Sequence, residues 1–405
     1  MNNSWKKNIV LFLMSQTISL FGTSLVQYAI MWHITLQTQS GFMMTISIIC
    51  GFLPMFLLSP FAGVWADRYN RKNLIVISDA FIAITTLILS LLFYSGNNQI
   101  WLLFVASAVR ALGSAIQTPA VNSFIPQLVP EEKLTKVNAT NGSVQSMVTL
   151  VSPMVSGALL SITSLEVIFL IDVVTAAIAV LIMMIFLRVP AHSRALEKQE
   201  TSYWNDIKEG MRYLKEHAFL KVYFSYFAVF YVLLAPAAFL SPLQVARTFG
   251  DDIWRLTALE VVFSVGMMAG GIFMATWGGF KNKIHTMALS CYIMSICTVL
   301  FGVIPYFWVY IFIMGVFGLI MPVLNTPSIV LIQEKVENDY LGRVFSILSM
   351  ISSIMMPFGM LIFGPISDII KIEWLMIGSG LSLIILTVFF SKNNILLKAG
   401  KPIEK

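Results

Sequence analysis

The sequence predicts an all-α membrane protein, with twelve transmembrane helices arranged as two six-helix bundles. Three observations predict it. Of 405 residues, 58% are hydrophobic and 11% charged, and the mean hydropathy is +0.82; soluble domains are about 45–50% apolar. Twelve apolar runs each approach the roughly 20 residues that a helix needs to cross a bilayer. The longest polar interval, about 189 to 219, leaves six runs on either side.

The runs lie at 9 to 36, 43 to 65, 74 to 95, 100 to 122, 138 to 162, 166 to 188, 220 to 241, 257 to 279, 286 to 304, 308 to 329, 344 to 366 and 374 to 391. The first follows Lys6 and Lys7, as in a signal peptide, but it is too long for such a core and lacks a small-residue cleavage site. It is read as helix 1. The domains are then 1–188, an N-terminal six-helix bundle; 189–219, a cytoplasmic connector; 220–391, a C-terminal bundle; and 392–405, a cytoplasmic tail. In the connector, Tyr203, Ile207, Met211, Leu214 and Ala218 recur every three or four residues. That spacing predicts an amphipathic helix, lying on the membrane surface or packed on the bundle.

The net charge of +6 reports orientation. With a cytoplasmic N-terminus, every Lys and Arg faces the cytoplasm except Arg247, Arg255 and Lys371 outside and Arg110 within a span. This is the positive-inside asymmetry, and nucleic-acid binding is not needed to explain it. Cys50, Cys291 and Cys297 all fall inside spans and form no disulfide or metal framework. The two halves echo each other weakly. Thr118-Pro119 recurs as Thr326-Pro327, and "LTKV" at 134 to 137 resembles "LGRV" at 341 to 344, near the ends of spans four and ten. Such echoes suit parallel repeats of the kind found in rocking transporters.

An ionisable side chain at the bilayer centre costs about 2.5–3.5 kcal/mol on insertion scales and is a functional candidate by default. Arg110 lies close to the midplane of span four and needs a partner, either a carboxylate or backbone carbonyls. The membrane carboxylates are Asp79, Asp172 and Glu260, candidates for proton coupling or cation binding; Glu260 is near enough to a span end to reach the interface. Asp79 begins a polar line with Ala83, Thr86 and Ser90. Helix 1 carries Gln16, Ser19, Thr23 and Gln27, and helix 5 carries Asn138, Asn141, Gln145, Thr149, Ser152 and Ser156. A face this polar lines a helix contact or a water-filled cavity rather than lipid. Within it, "SPMVSG" combines Pro153, which removes a backbone donor, with Ser152, Ser156 and Gly157, which allow close helix approach. The 23 Met and 30 Phe residues suit a cavity for bulky apolar ligands, although most face lipid or fill helix contacts.

One stretch, "GVWADRYNRK" at 63 to 72, gathers four charges between two apolar runs. With the 6+6 layout, it resembles the major facilitator superfamily, whose loop between helices 2 and 3 reads roughly G-x-x-x-D-R-x-G-R-K. Gly63, Asp67, Arg68, Arg71 and Lys72 match, and Asn70 replaces a glycine, a mild change because Asn tolerates left-handed backbone. Within the superfamily, "SLFGTSLVQYAIMW", "FIPQLVPEEKLTKVNATNGS" and "YWNDIKEGMRYLKEH" resemble Mef-type macrolide efflux proteins, and the resemblance covers the whole chain. It implies that Arg110 in "RALGSAIQ" is linked to proton movement. It also implies that Ser152, Pro153, Ser156 and Gly157 stand in for the exporters' helix 5 motif G-P-x-x-G-G. Related exporters often carry an acid near Thr23, which is absent here. The resemblance further places Asp67 near the N-terminus of helix 11, so Asp67, with Arg71, is expected to latch the two halves at the cytoplasmic face. The matching loop "WGGFKNK" at 277 to 283 keeps Lys281 and Lys283 but has no acid.

The function implied is proton-coupled macrolide efflux across the bacterial cell membrane by alternating access, with both termini cytoplasmic. Protons and macrolides are the partners, a monomer suffices, and no cofactor is needed beyond the proton gradient. The alternative is a major facilitator transporter of another hydrophobic or cationic solute. No Walker-type phosphate loop occurs, which argues against an ATP-driven pump. His33, His192, His217 and His285 show no catalytic spacing, which argues against an intramembrane enzyme.

Overall fold

In the computed structural model, residues 4–187, 212–214, 216–337 and 340–401 are described, without the side chains of 60, 67, 342 and 346. Most of the connector lies outside the described residues, including Tyr203, Ile207 and Met211 of the amphipathic helix expected from Tyr203 to Ala218; Leu214 is buried in a helical turn at 212–214, and Ala218 opens the seventh membrane helix.

Twelve helices among the described residues are long and apolar enough to cross a membrane. They are α1 Ser4–Thr38, α2 Gly41–Arg68, α3 Arg71–Tyr94, α4 Ile100–Leu128, α5 Leu134–Ile162 and α6 Leu165–Phe186. The second set is α7 Ala218–Thr248, α8 Ile253–Trp277, α9 Lys283–Val303, α10 Phe307–Lys335, α11 Leu341–Ile366 and α12 Ile372–Lys392; a short α13, Asn394–Ala399, follows. Each expected run coincides with one helix, but the helices extend past the apolar stretches into charged residues. Hydropathy reports which residues lipid tolerates, whereas caps and turn geometry set where the backbone stops bonding to itself. The two echoes are placed differently from expectation. "LTKV" and "LGRV" open α5 and α11, and the Thr-Pro pairs sit well inside α4 and α10 rather than at their ends.

The chain divides into two compact units, Met1–Ile34 with Ile46–Gln199, and Thr35–Thr45 with Glu200–Lys405. In the N-terminal unit, α3 packs on α4 and α6. One core cluster joins Phe12 of α1, Ala66 of α2, Ile75 of α3, Phe124 of α4 and Met183 of α6. Phe12 and Phe124 meet edge to face at 5.2 Å. In the C-terminal unit, α8 packs on α10, α9 on α12 and α11 on α7. Glycines set the first of these contacts: a Cβ at Gly270 would strike the carbonyl oxygen of Leu319, and one at Gly318 that of Phe263. Backbones can approach that closely only without side chains between them. The α7 helix passes through a π-type turn at Pro236–Leu240. Pro236 has no N–H to give Val232, and Gly359 of α11 packs against that carbonyl.

Candidate functional site

Three of the four membrane ionisable groups belong to the N-terminal unit, and the structure gathers them with polar atoms of four helices. Arg110 on α4 is 7% exposed and Asp172 on α6 is fully buried. The Arg110 Nη1 donates to Asp172 Oδ2 at 2.5 Å and also to the Thr86 hydroxyl of α3, while Nη2 donates to the Thr23 carbonyl of α1 at 3.3 Å. The Thr86 Oγ1 lies 3.0 Å from Asp172 Oδ2 and 2.9 Å from the Ile82 carbonyl, so its single proton has two acceptors. The Thr23 hydroxyl is 3.5 Å from Asp172 Oδ1.

Two turns before Thr86 on α3, Asp79 is 1% exposed. Its Oδ1 accepts from Ser19 of α1 at 2.7 Å and from Gln117 Nε2 of α4 at 2.5 Å. Its Oδ2 is buried with no hydrogen-bond partner, as are Ser78 Oγ and Gln16 Nε2. Buried carboxylate oxygens normally find donors, so Asp79 is half-satisfied where Asp172 is well satisfied. The remaining member of the Asp79 line, Ser90, donates to the Glu166 carbonyl of α6 at 3.0 Å. A close approach of α1 to α6 makes the cluster possible. A Cβ at Gly22 would collide with the Thr175 hydroxyl and lie 3.0 Å from Asp172 Oδ1.

Helix 1 lacks the acid that exporters often carry near Thr23, yet Thr23 joins the charged network, whose acid comes from α6. The polar face of α5 is divided. Ser152, Pro153, Ser156 and Gly157 are buried, with Ser156 donating to the Leu25 carbonyl of α1 at 3.0 Å, whereas Asn138, Gln145 and Thr149 are exposed and Asn141 is half-buried. The first part of the stripe is therefore open, and the antiporter-like segment is a helix contact. Glu260 stands apart in the C-terminal unit. It lies seven residues past the start of α8, about 10 Å along the axis, half-buried on a cavity rather than at the helix end.

The 63 to 72 stretch is tighter than expected. Asp67 and Arg68 belong to the last turn of α2, Arg71 and Lys72 open α3, and only Tyr69 and Asn70 separate the helices. Asn70 has ordinary extended backbone, φ −62° and ψ 111°. Its side chain accepts from the amides of Lys72 at 3.0 Å and Asn73 at 3.4 Å, so it is tolerated as a helix cap rather than for left-handed backbone. Arg71 donates to the Ala66 carbonyl at 3.0 Å and the Ser123 carbonyl at 2.9 Å, and Lys72 to the Leu187 carbonyl at 2.6 Å. Arg68 is exposed, and a Cβ on Gly63 would meet nothing. The Asp67 side chain, on which the expected latch depends, lies outside the described residues.

The second half repeats this arrangement. Asn282 caps α9 by accepting from the Ile284 amide at 3.0 Å, and Lys283 pairs at 2.8 Å with Glu334 of α10. The loop itself has no acid, as read from sequence, but the fold supplies one from a neighbouring helix. Sequence reasoning also missed a cluster in the C-terminal unit. Asp368, just past α11, accepts from the Ser40 hydroxyl at 2.7 Å and from the amides of Gly41 at 2.8 Å and Phe42 at 3.0 Å. Arg247 of α7 pairs with it at 2.7 Å and donates to the carbonyls of Ser367 and Gln39. Asp368 thus neutralises the first amides of α2. Partial burial works against its charge, but the hydrogen bonds from Ser40, Phe42, Gly41 and Arg247 outweigh it and hold the carboxyl below the usual carboxylate range.

The sequence pattern of the Major Facilitator Superfamily matches residues 9–360. The chain belongs to that superfamily. It is 29% identical to macrolide efflux protein A of Streptococcus pyogenes over 388 residues, covering 95% of this chain and 96% of that protein. It is 30% identical to macrolide efflux protein A of Enterococcus faecalis over 323 residues, covering 79% and 99%. Among solved structures, a POT family transporter in complex with a thioalcohol-conjugated peptide superposes with a TM-score of 0.74 at 12% identity, covering 95% of each chain. This superfamily member is a multi-pass membrane transporter.

Proposed function

We propose that this transporter exports macrolides from the cytoplasm or inner leaflet in exchange for protons, by alternating access, with both termini cytoplasmic. The observation that carries the substrate is the likeness to two macrolide efflux proteins over nearly their whole length. The buried Arg110–Asp172 pair beside the half-satisfied Asp79 supports proton coupling. Protonation of Asp172 would release Arg110 to the Thr23 carbonyl and Thr86 and change how α1, α3, α4 and α6 are tied together. Asp79, with one oxygen already lacking a donor, loses least on accepting a proton. The gradient is the only energy source the reading requires, and a monomer contains every named group. Gly63, Asp67, Arg68, Arg71 and Lys72 form the latch at the cytoplasmic end of the cycle.

The test is accumulation of radiolabelled erythromycin in cells with and without the protein. Lower accumulation, abolished by a protonophore, is expected. Equal accumulation would remove macrolides as substrate in favour of another hydrophobic or cationic solute, and protonophore-resistant efflux would remove proton coupling.

A further inference from the structure

The C-terminal unit holds a cavity of about 210 Å³ between α7, α8, α10 and α11. At about 30 Å³ per water, it has room for roughly seven waters, enough for an amine-bearing ring and too little for a whole macrolide. Its wall is mostly apolar and soft, with Phe263, Met314, Phe317, Met321 and Met356 around it and one hydroxyl, that of Ser241; among the described residues Glu260 is the only ionisable side chain on the lining. Among the described residues, no donor or cation is paired with the Glu260 carboxylate.

This differs from the N-terminal unit, where both buried membrane carboxylates, Asp79 and Asp172, accept from protein donors. A carboxylate with no partner in apolar surroundings is costly, and helices that bury one without a compensating residue leave the compensation to something that enters. Aromatic faces attract cations, and methionines adapt to irregular shapes. A wall of Phe and Met with one carboxylate on it is suited to a positive nitrogen carrying alkyl groups, because the charge meets Glu260 while the alkyl groups meet the wall. A small hydrated cation would find no other oxygen ligands on charged side chains here, and an anion would be repelled.

We propose that the Glu260 cavity is a binding subsite for the positively charged nitrogen of an amphiphilic amine. That the amine belongs to a macrolide rests on the proposed function; the cation subsite does not. The transporter then separates two tasks. The C-terminal unit recognises the charge of the cargo, and the N-terminal unit holds the ion-paired network.

A hydrophobic carbodiimide, which converts carboxyl groups in apolar surroundings to stable N-acylureas, tests this on the unmodified protein in detergent, with the Glu260 peptide followed by mass spectrometry. Benzyltrimethylammonium is the probe, neopentylbenzene its neutral carbon isostere, and erythromycin the third ligand. Benzyltrimethylammonium at about ten times its Kd should slow labelling of Glu260 by about tenfold, the mass-action factor 1 + [L]/Kd, and neopentylbenzene should not. Equal protection by both, protection by neither, or no labelling of Glu260 in the free protein would each overturn the proposal. Protection by the cation but not by erythromycin would leave the subsite standing and sink the macrolide reading instead. In cells, Glu260→Gln should reduce export of erythromycin about tenfold more than export of a macrolide lacking the amine; equal losses for both would mean a role in structure or proton coupling and overturn the subsite.

Discussion

Arg110 donates to Asp172 across 2.5 Å, joining α4 to α6 in a site where Arg110 is 7% exposed and Asp172 not at all. A pair buried this completely is weak evidence for stability, because desolvation offsets most of the attraction, whereas breaking it leaves an uncompensated charge.

Asp172→Asn should therefore destabilise the protein by about 3–5 kcal/mol, read as a lower unfolding temperature in detergent, and abolish efflux. The double variant Arg110→Met with Asp172→Leu should recover most of the stability but none of the transport. Recovered transport would show the pair to be structural.

Asp79→Asn should fold normally, since an amide oxygen can still accept from Ser19 and Gln117 and its NH2 replaces an oxygen that has no donor. Uphill erythromycin efflux should be lost while exchange of labelled for unlabelled drug persists. Loss of both activities would place Asp79 in drug binding or in the conformational change.

Gly22→Ala should cost about 1–3 kcal/mol, the usual penalty of overpacking, because the added methyl meets Thr175 beside Asp172. Gly63→Ala, facing open space within α2, should instead raise stability by about 0.5–1 kcal/mol through helix propensity. Thermal unfolding of the two variants side by side checks the contrast.

Asp368 has a folded-state pKa below its unfolded value, so its contribution to stability is complete above the ordinary Asp pKa of about 3.9 and fades as pH falls through the depressed folded value. Asp368→Asn should thus lower the unfolding temperature at pH 7 and make progressively less difference below pH 4. Arg247→Met should behave alike at pH 7, since both remove the same pair. A difference that grows in acid would contradict the sign.

The twelve spans were legible because lipid imposes one requirement on about 20 consecutive residues, and Arg110, Asp79 and Asp172 because charges are rare within them. Their partners were legible only as stripes. Ser19 and Thr23 on α1 and Thr86 on α3 appear as polar faces with no stated direction, and Gln117 only as the last residue of "RALGSAIQ". Asn70 was misread because a cap and a left-handed turn favour the same residue, and the two differ only in backbone angle. Asp368 and Glu334 carry no sequence signature, since their partners, Ser40 to Phe42 and Lys283, are far away along the chain.

By itself, the sequence determined the class, the number of spans and the short set of buried charges, since each follows from the cost of placing a residue in hydrocarbon. Only the tertiary structure decided that Arg110 takes Asp172, that Asp79 keeps an oxygen without a donor, and that Glu260 faces a cavity. Pairing depends on which helix faces meet, and those faces are set by close contacts such as Gly22 against Thr175, which periodicity along one helix does not encode.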